Sequence, residues 1–311
     1  MKLIVFHVGA AKTASTFIQS SLSANYSTLL QHRVFYPLNS YGKHPELAFS
    51  ASFDLFDTIS TYLHYLPKSM NQDSDLKAFF LARTRDYFGS FLASSCHTLV
   101  LSDELLPYYC NSIEKLENLR MLFPLDVNLH FVYYTRSPAD MYISLYSTLV
   151  KVNQTQVWPH QFFLPQSLLD YSAWITSPEM FDHYAFITNT KTVFGDDSIS
   201  VFDFDVLTHP LSPQSPVDHF FSFLGLQASA FVFEDRKVNP RLDYLSLFLL
   251  CLFNRSLVSL SGFPRLHSVL VWLKKSFLLP PLEFFSSFGL LRFPTRRVLL
   301  SRQSFNRLFR W

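Results

Sequence analysis

A short segment near the N-terminus, residues 7–16, combines a glycine, a lysine and three hydroxyl side chains. It reads His-Val-Gly-Ala-Ala-Lys-Thr-Ala-Ser-Thr and lies between an apolar run and a stretch with helical periodicity. The start of a helix presents unpaired backbone N–H groups and a partial positive charge. Gly9 permits a sharp turn, Lys12 adds a full charge, and hydroxyl donors come from Thr13, Ser15 and Thr16. This combination predicts a binding site for a phosphate or a similar anion.

One established loop of this kind is the Walker A motif, G-x-x-x-x-G-K-[ST]. The pair Lys12-Thr13 matches that motif, but Phe6 and Ala11 occupy the two positions where it requires glycine. Because both glycines are absent, the sequence disfavours the phosphate-binding loop of an ATPase or GTPase. An apolar run followed by Asp103-Glu104 has the appearance of a Walker B motif, so a nucleotide-dependent kinase or hydrolase remains an alternative.

A second candidate anion site follows another apolar run, Leu-His-Phe-Val-Tyr-Tyr at residues 129–134. Arg136 stands at its end, Pro138 marks the start of a helical stretch, and Ser144 lies about two turns into that stretch. The planar guanidinium of arginine donates two parallel hydrogen bonds, which suits a terminal phosphate. The spacing predicts that Arg136 and Ser144 bind one phosphate group.

These two loops together resemble the sulfotransferase superfamily, whose members take sulfate from the nucleotide PAPS (3′-phosphoadenylyl sulfate). The family's 5′-phosphosulfate loop is typically G-x-x-[KR]-[ST]-G-[ST]-[ST], and this chain matches it at five positions: Gly9, Lys12, Thr13, Ser15 and Thr16. Ala14 replaces the usual glycine. Arg136 and Ser144 match the 3′-phosphate site in identity and spacing. Arg236 and Lys237 lie in a stretch resembling the basic segment that folds over the nucleotide.

The resemblance implies PAPS as co-substrate, no metal requirement and a carbohydrate or glycolipid acceptor, as in bacterial and Golgi carbohydrate sulfotransferases. Lys12 is expected to stabilise the leaving phosphate, which needs charge neutralisation during in-line transfer. Family members use a His or Glu as the general base after the second strand. His44 is the first candidate for this role, because its ordinary pKa is near neutrality, and Glu46 and Glu104 are the alternatives.

The elements that must position these residues follow from the apolar runs. Strands are predicted at residues 2–8, 34–36, 98–102, 129–134 and 199–204, and helices at 13–30 and 139–151. Continuous apolar strands alternating with helices indicate a three-layer α/β/α fold of the P-loop type, with a central parallel sheet. Ligands of such sheets bind beyond the carboxyl ends of the strands, where both loops are found.

The C-terminal part of the chain has a different composition. Residues 244–311 hold ten Lys and Arg against a single acid, Glu283, which gives this segment a net charge of +9 within a chain of net charge +2. We therefore predict a PAPS-binding domain over residues 1–243 and a basic, aromatic-rich helical segment over 244–311. Basic helices rich in Trp, Phe and Leu bind anionic membranes, which makes residues 244–311 a candidate membrane-binding segment. The alternative is that these residues simply pack against the catalytic domain.

The N-terminal apolar run is too short for a signal peptide, and no run is long enough to span a membrane. We expect a cytoplasmic protein, attached peripherally to the inner face of the membrane where 244–311 binds lipid. No recognised nucleic-acid-binding motif accompanies the positive charge, so no nucleic-acid partner is expected. A non-enzymatic glycan-binding protein on the same fold is the remaining alternative, although such a protein would have no need of Lys12 and Arg136.

Overall fold

The chain divides into two compact units, which are Met1–Ser137 with Glu179–Arg236, and Pro138–Pro178 with Lys237–Trp311. The computed structural model describes residues 2–10, 13–39, 43–51, 73–104, 106–137, 140–141, 144, 182–209, 214–233, 246, 249–250, 253, 269 and 272–282. The predicted division of the chain at residue 243 stays a prediction.

The first unit is built on a five-stranded sheet in which every described pairing is parallel. Its strands are β1 (Leu3–Gly9), β2 (Val34–Phe35), β3 (Thr98–Ser102), β4 (Asn128–Thr135) and β5 (Ile199–Asp203). They lie in the order β2-β3-β1-β4-β5, with β1 in the centre. This arrangement confirms the predicted α/β class and the central parallel sheet.

Helices cover both faces of this sheet, because alternate residues of the central strands point to opposite sides. Ile4, Phe6 and Val8 of β1 pack in one hydrophobic cluster. The helices of that layer are α3 (Glu46–Ala51), α4 (Asp73–Ala93), α5 (Leu106–Tyr109), α6 (Ile113–Met121) and α7 (His183–Phe194). The resulting three layers confirm the predicted α/β/α architecture.

Val5 of β1 faces the opposite layer, where it packs with Ile18, Leu22 and Phe220. The helices on this side are α1 (Ser15–Ala24), α2 (Tyr26–Gln31) and α9 (Pro216–Phe223), and a short helix α8 (Phe204–Leu207) follows β5. The α9 helix begins with a complete capping box formed by Ser215 and Asp218, with Pro216 at its first position.

The predicted single helix over residues 13–30 is wrong, because α1 ends at Ala24, α2 begins at Tyr26, and Asn25 lies between them outside both helices. The amide group of Asn25 explains the break. Its Nδ2 donates to the carbonyl oxygen of Val232 at 2.7 Å, and its Oδ1 accepts from the Val232 N–H at 2.9 Å. The Asn25 side chain thus both donates to and accepts from the backbone of a distant segment. This pairing fixes the point at which α1 and α2 meet.

The helical stretch predicted at 139–151 lies mostly outside the described residues, although Asp140, Met141 and Ser144 are helical. In the second unit, residues 272–282 form a helical segment whose middle, Lys274–Leu278, has π-helical hydrogen bonding. Among the described residues, no helix combines the length and the apolar character required to cross a bilayer.

Candidate anion site at the carboxyl end of the sheet

The turn between β1 and α1 depends on an unusual backbone conformation at Ala14. This residue is the N-cap of α1 and has φ of 60° and ψ of 19°, which is the left-handed region. Glycine adopts this region without strain, whereas a residue with a Cβ is disfavoured there by about 1–2 kcal/mol. The position where the family pattern has a glycine is therefore the position where this loop needs a positive φ.

Gly9 allows the loop to fold tightly over the end of β1. A Cβ at Gly9 would lie 2.6 Å from the hydroxyl of Ser15 and would also overlap the hydroxyl of Thr13. Thr13 donates its hydroxyl to the carbonyl oxygen of Ala10 at 2.7 Å, which closes the turn. The absence of a side chain at Gly9 thus creates the space in which these two hydroxyls lie.

The hydroxyl of Ser15 has properties expected of a ligand-binding group. Ser15 is 3% exposed, and its Oγ has no hydrogen-bond partner in the described part of the chain. A buried polar atom without a partner costs about 1–3 kcal/mol, so native proteins usually satisfy such atoms with water or a ligand. Ser15 is also the first residue of α1, a helix with no acidic residue in its first turn. These features fit an anion at the helix N-terminus.

The two predicted phosphate loops follow neighbouring strands. β1 pairs with β4 in register from Leu3 to Gly9, and Ala10 donates its N–H to the carbonyl oxygen of Tyr134 at 2.9 Å. The chain leaves β1 toward β2 on one side of the sheet and leaves β4 toward β5 on the other. The gap between β1 and β4 is therefore the topological switch point, where open α/β sheets bind their ligands.

Arg136 lies directly after β4 and has polar and aromatic neighbours in the first unit. Its Nε is 3.4 Å from Oδ1 of Asp205, and its guanidinium lies over the ring of Phe204 at 5.4 Å. The other carboxylate oxygen of Asp205 accepts the Ser137 N–H at 3.1 Å, which fixes the orientation of the acid. The Arg136 side chain is 16% exposed, so its guanidinium is positioned before any ligand binds.

His44, the first candidate for the general base, is fully buried with both ring nitrogens engaged by backbone groups. Its Nδ1 accepts the Ser102 N–H at 2.9 Å, so its Nε2 carries the proton that it donates to the Pro37 carbonyl at 2.9 Å. Burial lowers the pKa of His44 from 6.5 to about 4. In this arrangement the ring has no lone pair with which to accept a proton from a substrate. These contacts favour a positioning role for His44 over proton abstraction.

The two alternative bases have different surroundings. Glu46 is 4% exposed, and its Oε1 accepts the Tyr87 hydroxyl at 3.1 Å and lies 3.2 Å from Nε of Arg83. Burial raises the pKa of the Glu46 carboxyl. Glu104 follows β3 at the same sheet edge as the phosphate loop, and its side chain is 27% exposed and forms an ion pair with Lys43 at 3.4 Å. Of the three candidates, Glu104 is the most accessible to an acceptor.

Three further predicted site residues, Lys12, Arg236 and Lys237, lie outside the described residues. Ser144 is helical and belongs to the second unit. The predicted meeting of these residues with the two loops stays a prediction. The described residues include no cluster of three or more His, Cys, Asp or Glu side chains suited to a metal ion.

The sequence reasoning missed two features of this region. The first is Asp205 beside Arg136, which has no signal in the sequence because the two residues are far apart in the chain. The second is His7, whose Nδ1 lies 2.7 Å from the hydroxyl of Ser102. A histidine within the apolar run of residues 2–8 was the available signal, because a polar side chain in a central strand needs a buried partner.

Comparison with solved structures finds a sulfotransferase from Alicyclobacillus acidocaldarius with a TM-score of 0.44 and 18% sequence identity. The alignment covers 86% of this chain and 93% of that chain. No family model and no curated protein matches the sequence.

Proposed function

We propose that this protein is a sulfotransferase that transfers a sulfuryl group from PAPS to a hydroxyl or amine of a carbohydrate or glycolipid. One observation carries the proposal. The Ser15 hydroxyl, without a partner among the described residues, lies over Gly9 in a turn that contains the left-handed Ala14. This turn follows β1, whose neighbour β4 ends one residue before Arg136. A donor with anionic groups at both ends of its nucleotide suits a site with one anion-binding loop on each of two neighbouring strands.

The described residues fit the phosphosulfate end of PAPS through the N-terminus of α1 and the hydroxyls of Ser15 and Thr16. The motif resemblance proposes Thr13 as a further ligand, although its hydroxyl donates to the Ala10 carbonyl in the described structure. Arg136 would bind the 3′-phosphate, with Ser144, Arg236 and Lys237 as further ligands that the motif resemblance proposes. When bound, PAPS supplies an activated sulfuryl group whose leaving group is a phosphate. Lys12 is proposed to neutralise the charge that develops on this leaving group, which is the main electrostatic task in such transfers.

Glu104 is the residue that we propose as general base. A base must reach the acceptor proton directly or through one water molecule. Glu104 is partly exposed beyond β3, the strand beside β1, whereas the ring nitrogens of His44 are both engaged and Glu46 is buried against Tyr87. Lys43 would orient the Glu104 carboxylate through their ion pair at 3.4 Å, and His44 and Glu46 would support the segment from which Lys43 projects.

We also propose that the basic segment 244–311 attaches the protein to the cytoplasmic leaflet, so that a lipid-linked acceptor reaches the site without crossing water. Its net charge of +9 favours an anionic surface. The described part of this segment adds an apolar feature. Trp272 and Phe277 are 57% and 64% exposed, and their rings contact each other at a centroid distance of 5.5 Å. Exposed aromatic side chains within a basic segment are typical of interfacial helices.

A nucleotide-dependent kinase or hydrolase is the second candidate function, since a parallel sheet with an anion-binding loop after β1 also suits such enzymes. Their motif requires glycine at positions 6 and 11, where this chain has Phe6 and Ala11. Phe6 is fully buried and stacks on Phe131 at 4.8 Å, so position 6 belongs to the core. An inactive glycan-binding protein is the third candidate, and it predicts no dependence on a nucleotide.

Thermal unfolding with different nucleotides tests the proposed function. The desulfated product PAP, at 100 times its dissociation constant, should stabilise the fold by about 2.7 kcal/mol, and AMP should stabilise it less. ATP or GTP with Mg²⁺ producing an equal or larger shift would favour the hydrolase. A protein that no nucleotide stabilises, but that a glycan does, would favour the binding protein. Radiolabelled PAPS then identifies acceptors among glycans and glycolipids.

A further inference from the structure

Ser102, the last residue of β3, is fully buried and uses every one of its polar groups. Its N–H donates to Nδ1 of His44 at 2.9 Å, and its carbonyl oxygen accepts the His44 N–H at 2.8 Å. Its hydroxyl accepts from Nε2 of Gln19 at 3.0 Å and lies 2.7 Å from Nδ1 of His7. Ser102 thus contacts three separate segments of the chain through hydrogen bonds.

Two of these segments carry the phosphate loop. His7 lies two residues before Gly9 on β1, and Gln19 lies one helical turn after Ser15 on α1, so it shares a face of that helix with Ser15. Gln19 is 5% exposed and His7 is completely buried, so neither side chain can exchange its partner for bulk water. A shift of α1 at its phosphate-binding end therefore acts directly on the Ser102 hydroxyl.

The third segment, residues 43–51, carries Lys43, the ion-pair partner of the proposed general base Glu104. His44 binds both backbone groups of Ser102 and reaches the Pro37 carbonyl beyond β2. Asp103, the residue after β3, donates its N–H to the His7 carbonyl at 3.0 Å. Its carboxylate accepts the Ala48 N–H at 3.2 Å. Lys43 of this segment pairs with Glu104.

We infer that Ser102 is a positioning residue that couples occupancy of the phosphate loop to the order of segment 43–51. The inference rests on the proposed function for the identity of the nucleotide. An anion at the N-terminus of α1 holds that helix in place, and Gln19 and His7 then hold the Ser102 hydroxyl through their hydrogen bonds. The Ser102 backbone in turn holds His44, and with it the segment that carries Lys43, the partner of Glu104. In this scheme the acceptor side becomes ordered for catalysis when the donor is bound, which limits transfer in its absence.

The direct test is amide hydrogen exchange on the full chain with and without PAP. PAP should slow exchange in residues 9–19 and also at the amides of His44, Ala48 and Asp103, by roughly fivefold or more at saturation. In Ser102→Ala the slowing should remain in residues 9–19 and disappear at those three amides. Ser198→Ala is the matched control, because Ser198 is a buried serine whose hydroxyl donates to the nearby Gly195 carbonyl and, among the described residues, to no other group.

A purely structural role for Ser102 would loosen segment 43–51 equally with and without PAP, and this result would overturn the inference. Protection confined to residues 9–19 in the wild type would also overturn it. If Ser102→Ala does not fold, Gln19→Met removes the amide at similar volume and is subject to the same criteria.

Failure of PAP to protect any residue would contradict the proposed function rather than the coupling. Inorganic pyrophosphate, whose binding requires only the phosphate loop, then tests the coupling. Protection of the three amides by pyrophosphate supports the coupling, and absence of protection at these amides refutes it.

Discussion

The Nε atom of Arg136 lies 3.4 Å from Oδ1 of Asp205, so the cation proposed to bind the 3′-phosphate already has an anionic neighbour. This neighbour orients the guanidinium, and it also competes with an incoming phosphate. The pair is partly exposed, with 38% of the Asp205 side chain accessible, so its own contribution to stability is small, about 0.2–1 kcal/mol.

Two substitutions at this pair should therefore change PAP affinity in opposite directions. Arg136→Ala removes a charge-assisted phosphate contact worth about 1.5–3 kcal/mol, so PAP should bind roughly 10- to 100-fold more weakly. Asp205→Asn keeps an oxygen for the Ser137 N–H and removes the competing charge, so PAP should bind a few-fold more tightly. Isothermal titration calorimetry measures both effects.

The control for this prediction is AMP, which lacks the 3′-phosphate. Arg136→Ala should leave AMP binding unchanged, so the preference for PAP over AMP should vanish in this variant. Equal weakening of both nucleotides would assign Arg136 to general stability instead of to the 3′-phosphate.

Ala14 is the position where a single substitution should stabilise the protein. Glycine relieves the left-handed strain of about 1–2 kcal/mol and costs about 0.4–1 kcal/mol in unfolded-chain entropy. Ala14→Gly should therefore raise the free energy of unfolding by up to about 1.6 kcal/mol, as measured by urea denaturation. Ala82→Gly, in the exposed middle of α4, is the matched control and should lower it by about 1 kcal/mol. A loss of stability in Ala14→Gly would show that the left-handed conformation is not required.

The sequence was sufficient to predict the sheet, because each central strand is a continuous apolar run. β3 has the predicted bounds, and the observed bounds of the other four strands lie within one residue of the predicted ones. The helix after the phosphate loop was predicted too long, because its end depends on Asn25 pairing with Val232, which is 207 residues away. A pattern within one helix carries no information about such a partner.

The same limit applies to the candidate site. The glycine and hydroxyl residues of the first loop are local, so their order in the sequence predicts the turn over Gly9. The environment of His44 depends on Pro37 on one side and on Ser102, 58 residues away, on the other. The ordinary, near-neutral pKa that made His44 the first candidate applies to a histidine in water, and burial lowers the pKa of His44 to about 4. Residue type alone could not predict this change.

The buried histidines give the protein a specific dependence on acid. Burial lowers the pKa of His7 to about 3 and that of His44 to about 4, from 6.5. Between these values and 6.5 the unfolded chain binds protons that the folded chain does not, so acid favours unfolding. The stabilisation is complete above about pH 6.5 and is lost as pH falls toward 4, at up to about 1.4 kcal/mol per pH unit for each histidine.

Urea denaturation at several pH values between 7 and 4 measures this slope. His44→Asn should be less stable than the wild type at pH 7 and should show a shallower loss of stability on acidification. Val206→Ala, at a side chain that is 66% exposed and carries no titratable group, is the control and should retain the wild-type slope. A His44→Asn slope equal to that of the wild type would mean that His44 titrates normally in the folded protein.

Lys12 is expected to act on the transition state more than on binding. Lys12→Ala should reduce kcat for sulfuryl transfer by at least about 100-fold, the scale on which loss of a charge-stabilising donor acts. Stability should be unchanged, and PAP affinity should fall less than turnover. Lys191→Ala, which removes an exposed lysine on α7, should keep full activity. Equal losses of kcat and PAP affinity in Lys12→Ala would assign the lysine to ground-state binding.

The exposed aromatic pair of the second unit should control attachment to membranes. Burying a large aromatic side chain contributes about 1.5–3 kcal/mol, and each basic residue near an anionic surface adds about 1 kcal/mol that salt weakens. The wild type should co-sediment with vesicles containing phosphatidylglycerol, less so at high salt, and hardly with pure phosphatidylcholine. Replacing both Trp272 and Phe277 by serine should lower the partition coefficient at least tenfold at either salt concentration. Tyr184→Ser is the matched control, because Tyr184 is a 77% exposed aromatic residue of the first unit, and its loss should leave binding unchanged. If the wild type stays in the supernatant with every vesicle, the basic segment has a different role and a water-soluble glycan becomes the acceptor to test.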